Sequence, residues 1–496
     1  MPAIDPALSR LTDEQVLAAG TPLSRVYIEA HPGSGKTTVA AQRYGALRYA
    51  RTARPPGCGV VAVSFTRAAT AELRRRVEST WGPTAVSGPH KIITLDTLVY
   101  ELFRDLLHGG IVHWPNGHTD LDVIDSWAMH LQHFFTTAGV FVTLVDGRVI
   151  AQRRQSERKN FPRLEHVMAG LQAGVCTHEN VRTLLQQALA LPGTRERLRD
   201  RLMRTTSALI IDEIFDANSL DLTIVEIAVE AGVPVTLIGD PWQALYGFRG
   251  AQPDLVPGLI RRTHTAKLPL TRSFRWDTAG QVDLAAQLRA SKPVRLSKGA
   301  AAETDVVLSR QWKPLWEEVE DTVLPLAFKP SQGNTPYAAA TFLLNILTTA
   351  QFGLQATYLN EALITLGITD HEALVRLEEP LTGFIAELVR DGPNAAKDIW
   401  PRLVAIVKTE APRDIPTSNH HNYYGRLKHI AVRASQPRLV PGLTVHQAKG
   451  REWPVVGVHL IESDAERLTL GLTAETEPQR QLYVALTRAR RRTVQV

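Results

Sequence analysis

The sequence predicts an α/β protein built on doubly wound parallel sheets, and three observations carry that prediction. Short apolar runs typical of buried strands alternate with stretches of helical pattern. Polar and glycine residues directly follow several runs, at the strand ends where such sheets place their sites. The chain has 496 residues, too many for one core, so roughly two to four domains are expected. The apolar runs of the first half are 26–28, 59–65, 91–95, 207–211 and 235–238.

A glycine-rich loop at 30–37 follows the first apolar run and precedes a helical pattern, which is the context that phosphate-binding loops require. Gly33 and Gly35 let the backbone turn its N–H groups towards phosphate oxygens, and the helix start adds positive potential. We expect Lys36 to reach the β- and γ-phosphates and the Thr37 hydroxyl to ligate Mg²⁺. The alternative is a glycine-rich turn that happens to contain a lysine. The residues expected to bind the nucleotide here are Ala30, His31, Pro32, Gly33, Ser34, Gly35, Lys36, Thr37 and Thr38.

The composition is that of an ordinary water-soluble protein, with 44% hydrophobic and 21% charged residues. A net charge of +6 is compatible with a nucleic-acid partner without demonstrating one. For each of the basic runs at 74–76, 153–154 and 490–492 taken alone, a solvated helix face is the favoured explanation. Only Cys58 and Cys176 occur, so neither a disulfide framework nor a metal spacing is predicted. With no signal pattern or membrane span in the sequence, we expect a cytoplasmic protein.

The segment 11–20 is predicted to be a short helix that Gly20 ends. Thr12 and Gln15 fit a capping box, in which each side chain satisfies a backbone N–H group of the other residue. The Gln15 amide, which has both a donor and an acceptor, could instead meet an adenine edge. The residue pattern alone leaves both alternatives open.

Two acidic residues end the apolar run at 207–211. Asp212 at the strand end can hold the Mg²⁺ shell, and Glu213 can orient or deprotonate an attacking water. Strands often end in acidic residues, but together with the phosphate loop this pair is typical of an ATPase.

A glutamine, aromatic residues and an arginine follow the run at 235–238. Gln243 could sense the γ-phosphate, and Tyr246 and Phe248 could stack on bases, each worth roughly 1–3 kcal/mol. A packed aromatic loop is the alternative, and for a single Tyr or Phe it is the commoner case.

Helical patterns interrupt the alternation at 105–205 and again at 350–435, and both stretches are predicted to be helical insertions. Between them, residues 304–345 are expected to fold as strand, helix, strand and helix.

The last part of the chain returns to an α/β pattern. We expect a strand, a turn and a strand over 443–458, a helix over 481–491 and a closing strand over 493–496. Arg488 near the end of that helix is also explained by the helix macrodipole.

Taken in order, these stretches match the motifs of a known family. The chain resembles the UvrD/Rep/PcrA-like superfamily 1 DNA helicases, and also the RecB-type helicase, over nearly its whole length. The matching segments are Gln15 for the Q motif, 30–37 for motif I with the family's common alanine at Ala30, 65–69 for motif Ia, Asp212 and Glu213 for motif II, 239–251 for motif III, 273–275 for motif IV, 444–452 for motif V and 483–489 for motif VI.

The resemblance implies that the chain binds ATP and Mg²⁺. Gln15 would read adenine, Phe274 would stack on it, and Glu452 would contact the ribose. Arg275 and Arg488 would reach the γ-phosphate from the second sheet as arginine fingers supplied in cis. The residues that would carry ATP, Mg²⁺ and hydrolysis are Lys36, Thr37, Asp212 and Glu213.

The resemblance also implies a path for single-stranded DNA. Gln243 would link the phosphate of the bound nucleotide to the DNA. The residues that would line this path are Phe65, Thr66, Arg67, Tyr246, Phe248, Arg249, Thr444 and His446. Two positions depart from the family pattern. Phe215 stands where motif II usually has glutamine, and Asp96 stands where motif Ib often has a histidine that contacts DNA.

The expected architecture is two RecA-like domains, each interrupted by a helical insertion. The expected bounds are 1–104 and 206–268 for the first domain with its insertion at 105–205, and 269–348 and 437–496 for the second domain with its insertion at 349–436.

The function that the resemblance implies is that of an ATP-dependent DNA helicase that moves 3′ to 5′ along single-stranded DNA and unwinds duplex. Expected partners are single-stranded DNA, junctions with duplex and a protein that loads the motor. One alternative is a single-stranded DNA translocase that displaces proteins without unwinding duplex. Another is a non-catalytic DNA-binding scaffold, and the residues that argue against it are the intact Lys36, Asp212, Glu213, Arg275 and Arg488. A helicase–nuclease is disfavoured, because no chain remains after residue 496 for a nuclease domain.

Overall fold

The computed structural model of the chain describes residues 11–50, 57–127, 138–155, 163–331, 334–370, 372–416 and 421–496. It divides into two compact units, Met1–Arg275 and Trp276–Val496. The strands in chain order are β1 (Arg25–Ala30), β2 (Gly59–Ser64), β3 (Lys91–Thr94), β4 (Asp122–Ile124), β5 (Ala138–Val145), β6 (Arg148–Gln155), β7 (Val175–Thr177), β8 (Thr206–Ile211), β9 (Val235–Gly239), β10 (Ala266–Leu270), β11 (Val306–Ser309), β12 (Val323–Pro325), β13 (Val440–Thr444), β14 (Trp453–Val458) and β15 (Ala489–Gln495).

The helices in chain order are α1 (Asp13–Gly20), α2 (Lys36–Tyr49), α3 (Arg67–Trp81), α4 (Leu95–His108), α5 (Leu164–Gln172), α6 (His178–Ala188), α7 (Thr194–Thr205), α8 (Ser219–Glu230), α9 (Val256–Arg262), α10 (Ala279–Arg289), α11 (Trp312–Glu317), α12 (Thr335–Phe352), α13 (Leu359–Leu366), α14 (Glu372–Asp391), α15 (Ala396–Glu410), α16 (His421–Ala434), α17 (Val445–Ala448), α18 (Glu462–Leu470) and α19 (Glu477–Leu486). Within the described ranges, no helix has the length and apolar content needed to cross a membrane.

A parallel sheet forms the centre of the first unit. Among the described residues its six strands lie in the order β10-β1-β9-β8-β2-β3, and each neighbouring pair is parallel. Val26 and Ile28 belong to one apolar cluster, while Tyr27 between them belongs to another, so both faces of the sheet are covered. This double burial explains why the strands appear in the sequence as unbroken apolar runs. The α/β fold class predicted from the sequence is confirmed.

The insertion at 105–205 is not purely helical, which corrects the prediction made from its sequence pattern. β5 and β6 form an antiparallel hairpin, and β4 pairs with β7 in a short parallel ladder. Asp146 and Gly147 connect the hairpin with φ angles of 48° and 74°. An Asp-Gly pair between two apolar runs is the sequence signal for such a turn, and it was outweighed by the surrounding helical pattern.

The second unit is built on a separate sheet. Its five described strands lie in the order β12-β13-β11-β14-β15, and each neighbouring pair is parallel. The succession β11, α11, β12 and α12 confirms the order of elements predicted over 304–345. The insertion of this unit is helical from α13 to α16, around a core that includes Trp400 and Phe342.

The final helix is shorter than predicted. α19 ends at Leu486, and residues 489–491, which were expected to continue it, belong instead to β15, which pairs with β14. The basic run at 490–492 therefore lies on a strand at the edge of the sheet. The interpretation of this run as a solvated helix face is therefore wrong, and charged side chains on an edge strand discourage pairing with another strand.

Candidate functional site

The glycine-rich loop lies between β1 and α2, at the edge of the first sheet where its parallel strands end. Gly33 and Gly35 have φ angles of 72° and 82°, a region that favours glycine, and helix α2 begins at Lys36 directly after them. The loop is held by the strand beside it, because His31 N donates to Leu270 O at 3.0 Å. The backbone is thus arranged as a phosphate-binding loop requires.

The acidic pair after β8 meets the lysine of this loop. Lys36 Nζ lies 2.6 Å from Glu213 Oε1. Glu213 has a left-handed backbone with φ 59°, and its N–H donates to Asp212 Oδ1 at 3.0 Å. This strained turn is an uncommon conformation for a glutamate. It directs the carboxylate towards Lys36, while Asp212 stays buried at the strand end.

Two oxygen groups present here fit Mg²⁺, which typically takes one or two protein oxygens together with waters and substrate phosphates. They are the hydroxyl of Thr37, in the first turn of α2, and the carboxylate of Asp212. Among the described residues, no cluster of three or more histidine, cysteine or acidic side chains could hold a metal ion.

Gln15 contacts the phosphate loop from α1. The predicted capping box is confirmed, because Thr12 Oγ1 accepts from Gln15 N and Gln15 Oε1 accepts from Thr12 N at 3.0 Å. The same amide donates through Nε2 to Ser34 O at 2.9 Å. A Cβ atom at Gly35 would lie 2.7 Å from that nitrogen, so the amide lies directly against the loop.

The segment after β10 also packs on the loop. Phe274 N donates to Gly33 O at 2.9 Å, and a Cβ atom on Gly33 would lie 2.6 Å from Arg275 Cβ. The Phe274 ring is half exposed, with the Arg272 guanidinium 5.2 Å from its centroid. Arg275 was expected to come from the second sheet. Arg275 follows β10, and β10 is an additional edge strand of the first sheet that the motifs did not indicate. Arg275 therefore belongs to the first unit.

Gln243 is buried after β9, where its Nε2 donates to Asp240 Oδ2 at 2.6 Å. Beyond it, Arg249 lies against two aromatic rings, 5.1 Å from the Tyr246 centroid and 5.5 Å from that of Phe248. The two rings meet edge to face with centroids 6.0 Å apart, and Phe248 is 64% exposed. This cluster is the mixture of aromatic and cationic surface on which bases stack.

The predicted DNA-contacting residues after β2 have structural partners of their own. Thr66 caps α3, accepting from Ala69 N at 3.1 Å. Arg67 pairs with Asp125 at 3.1 Å on an exposed surface, and Phe65 packs partly against the core.

In the second unit, the predicted site residues cluster around α17 and α19. Thr444 begins α17 in a capping box with Gln447, and His446 Nε2 lies 3.5 Å from Glu477 Oε1. Glu452 is exposed in the turn before β14. Arg488 is fully buried, and its Nε donates to Val484 O at 3.0 Å.

The two departures from the family pattern have structural explanations. Asp96 Oδ1 accepts from Arg182 Nε at 2.6 Å, so it joins α4 to helix α6 of the insertion. Phe215 is buried against Tyr27, with ring centroids 6.0 Å apart.

Arg76 is a residue at the loop that the sequence did not single out. Its Nη1 donates to Thr38 Oγ1 at 2.7 Å, and its Nε donates to Glu72 Oε1 at 2.6 Å. The run at 74–76 was explained as a solvated helix face. Glu72 also accepts from Arg75 three residues later, so its spacing from the run could have indicated ion pairs on this helix but not which arginine reaches the loop.

Comparison with known proteins places these features in a family. A model of the UvrD/REP helicase N-terminal domain matches residues 11–137 and 148–262. DNA helicase II of Escherichia coli (strain K12) is 24% identical over 265 residues, which cover 49% of this chain and 35% of that protein. ATP-dependent DNA helicase UvrD2 of Mycobacterium bovis is 23% identical over 568 aligned positions, which cover 98% of this chain and 78% of that protein.

A shorter similarity joins the chain to the RecBCD enzyme subunit RecB of Mycobacterium tuberculosis (strain CDC 1551), at 30% identity over 93 residues and 19% of this chain. The chain thus spans only 35% of DNA helicase II but most of UvrD2. The domain-model match and these similarities agree with the phosphate loop and acidic pair of the first unit, and the chain belongs to the UvrD/Rep-like helicase family.

Proposed function

We propose that this protein is an ATP-dependent DNA helicase that hydrolyses ATP while it moves along single-stranded DNA. The observation that carries the proposal is the pairing of Lys36 with Glu213 beside a glycine-rich loop, in a chain whose relatives are named DNA helicases. The 3′-to-5′ direction, the preference for junctions with duplex and the need for a loading protein follow from the family resemblance. A cytoplasmic location is part of the same proposal.

The chemistry follows from the groups at the loop. Phosphate oxygens bind to the backbone N–H groups after Gly33 and to the ammonium of Lys36. The phosphate thereby competes with the Glu213 carboxylate for the Lys36 ammonium. Glu213, released from Lys36, can accept a proton from the attacking water. Mg²⁺, held by Thr37 and Asp212, would neutralise charge on the β- and γ-phosphates.

Cationic groups complete the proposed site. Arg275 lies against the loop and is suited to the charge that develops on the γ-phosphate. The resemblance assigns the same role to Arg488. Gln243 lies only a few residues before the cluster of Tyr246, Phe248 and Arg249. We propose that Gln243 couples binding of the γ-phosphate to the binding of DNA bases by this cluster.

The test is a DNA-stimulated ATPase assay, combined with strand displacement on duplexes that carry a 3′ or a 5′ single-stranded tail. We expect single-stranded DNA to stimulate hydrolysis and the 3′-tailed duplex alone to be unwound. Lys36→Ala should abolish hydrolysis and retain DNA binding, because the charge that holds the phosphates is removed. Lys313→Ala, at an exposed lysine of α11, is the matched control and should hydrolyse ATP as the wild type does.

Each outcome separates the alternatives. Stimulated hydrolysis without strand displacement would favour the translocase that displaces proteins. DNA binding without any hydrolysis by the wild type would favour the scaffold, and turnover retained by Lys36→Ala would show that the phosphate loop is not the site.

A further inference from the structure

The buried guanidinium of Arg43, in helix α2, has no role in the site described so far. The residue is 2% exposed, and its hydrogen bonds go mainly to backbone carbonyls of a different segment. Nη1 donates to Ala19 O at 3.3 Å and to Thr21 O, and Nη2 donates to Leu23 O at 3.1 Å. Nε donates to Thr236 Oγ1 in β9 at 3.3 Å.

All three carbonyl groups belong to the end of α1 or to the residues that follow it. The carboxyl end of a helix carries partial negative charge, so a guanidinium there is stabilised without a carboxylate partner. Burial lowers the pKa of Arg43 to about 10, and the side chain therefore stays charged near neutral pH. A buried charge is costly to desolvate, so these hydrogen bonds fix the end of α1 firmly against α2.

Helix α1 carries Gln15, whose amide is already half used by the protein. Nε2 donates one hydrogen to Ser34 O, and Oε1 accepts one from Thr12 N. In the part of the chain that the structure describes, these bonds leave one amide hydrogen and one carbonyl lone pair. That combination matches the N7 acceptor and amino donor of adenine and mismatches guanine, which presents two acceptors at that edge.

We propose that Arg43 is a positioning residue for nucleobase selection, which holds α1 against α2 so that the Gln15 amide presents its remaining donor and acceptor to adenine. The inference rests on the proposed function, because the contact between Gln15 and adenine is itself part of it. Arg43 does not touch the nucleotide. Its effect is transmitted through the placement of α1 beside Ser34 and Gly35.

The chain offers a matched control in Arg433 of the second unit. Arg433 is 1% exposed and donates to the carbonyl oxygens of Val323 at 2.8 Å, Trp316 at 2.9 Å and Leu315 at 3.5 Å. Arg433→Lys therefore removes the same kind of buried guanidinium bonds as Arg43→Lys, without touching α1. A general loss of stability would affect both variants, whereas a change in base selection should be confined to Arg43→Lys.

The experiment measures ATP and GTP affinity by calorimetric titration of the full-length wild type, Gln15→Ala, Arg43→Lys, Arg433→Lys and the Gln15→Ala/Arg43→Lys double variant. We expect the preference for ATP over GTP to fall by about tenfold in Arg43→Lys, as one or two base hydrogen bonds are lost. Gln15→Ala should show a similar fall, and the double variant no further fall. Arg433→Lys should keep the wild-type preference.

A wild-type ATP preference in folded Arg43→Lys would overturn the inference, and so would equal falls in Arg43→Lys and Arg433→Lys. If circular dichroism shows that Arg43→Lys is unfolded, Thr236→Val removes only the Nε contact. It should then show a smaller fall in the same direction, and an unchanged preference would overturn the inference. Because binding is measured without turnover, an inactive wild type would count against the proposed function and leave this result standing.

Discussion

At the scale of single residues, Gln15 serves the fold and the candidate site together. The sequence left a capping box and an adenine contact as alternatives. The structure shows the capping box with Thr12 and adds a bond from the same amide to Ser34. Because an amide has two donor hydrogens and two acceptor lone pairs, one partner does not exclude the other. For this side chain, the structural and the functional explanations are compatible.

Phe248 allows a direct test of the proposed DNA face. Its ring is 64% exposed, and it meets the Tyr246 ring edge to face with the Arg249 guanidinium beside both. We expect Phe248→Ala to weaken single-stranded DNA binding by about tenfold or more, since stacking on one base is worth roughly 1–3 kcal/mol. Fluorescence anisotropy with labelled oligonucleotides measures the change.

The control for that measurement is Phe141→Ala, at an exposed ring on the hairpin of the insertion. It should bind DNA as the wild type does. Stacking is less sensitive to salt than phosphate contacts, so the deficit of Phe248→Ala should persist as salt is raised. Equal affinities for the two variants would contradict the assignment of Phe248 to the DNA path.

At the scale of elements, the sequence was most informative where several signals coincide. A strand, Gly33, Gly35 and a helix start agree on the phosphate loop, and its position between β1 and α2 matches the expectation. The hairpin of β5 and β6 was missed because the turn signal of Asp146 and Gly147 is only two residues long. The place of Arg275 was missed because strand order is set by long-range pairing, which local patterns do not encode.

Arg182 joins three elements of the first unit. It donates to Asp96 of α4 at 2.6 Å and to Asp221 of α8 at 2.8 Å. Asp221 is almost fully buried, and burial raises its pKa although Arg182 opposes the rise. Arg182→Met would leave this carboxylate without its cation, and we expect the first unit to lose about 2–4 kcal/mol of stability. Thermal unfolding followed by calorimetry measures the loss.

A double-mutant cycle distinguishes the ion pair from the packing of the arginine stem. Asp221→Asn keeps the shape of the side chain and removes its charge. If the buried charge is the cause, Arg182→Met should be much less damaging in the Asp221→Asn background. Additive effects of the two substitutions would contradict this explanation and point to lost packing along the stem instead.

At the scale of the whole molecule, the sequence predicted two α/β domains, and two compact units with separate parallel sheets are found. Composition could not have indicated that two histidines of the second unit lie in buried or partly buried positions. In the second unit, His429 and His459 are partly desolvated, and burial lowers the pKa of each below its usual value. The carboxylates of Glu317, Asp321, Glu318 and Asp464 oppose that shift without reversing it, and Arg433 and Arg426 reinforce it at His429.

These two histidines predict acid sensitivity of the second unit. In the unfolded chain they bind protons near pH 6.5, whereas in the folded unit they bind them only at lower pH. The unfolded state therefore binds more protons in that window, and the free energy of unfolding falls as the pH drops below about 6.5. Calorimetric melts between about pH 7.5 and about pH 5.5 should show this fall, and His429→Gln/His459→Gln should flatten it. His108→Gln, at an exposed position of the first unit, should leave the fall unchanged. If the double variant follows the wild type across the window, the buried imidazoles are not what destabilises the second unit in acid.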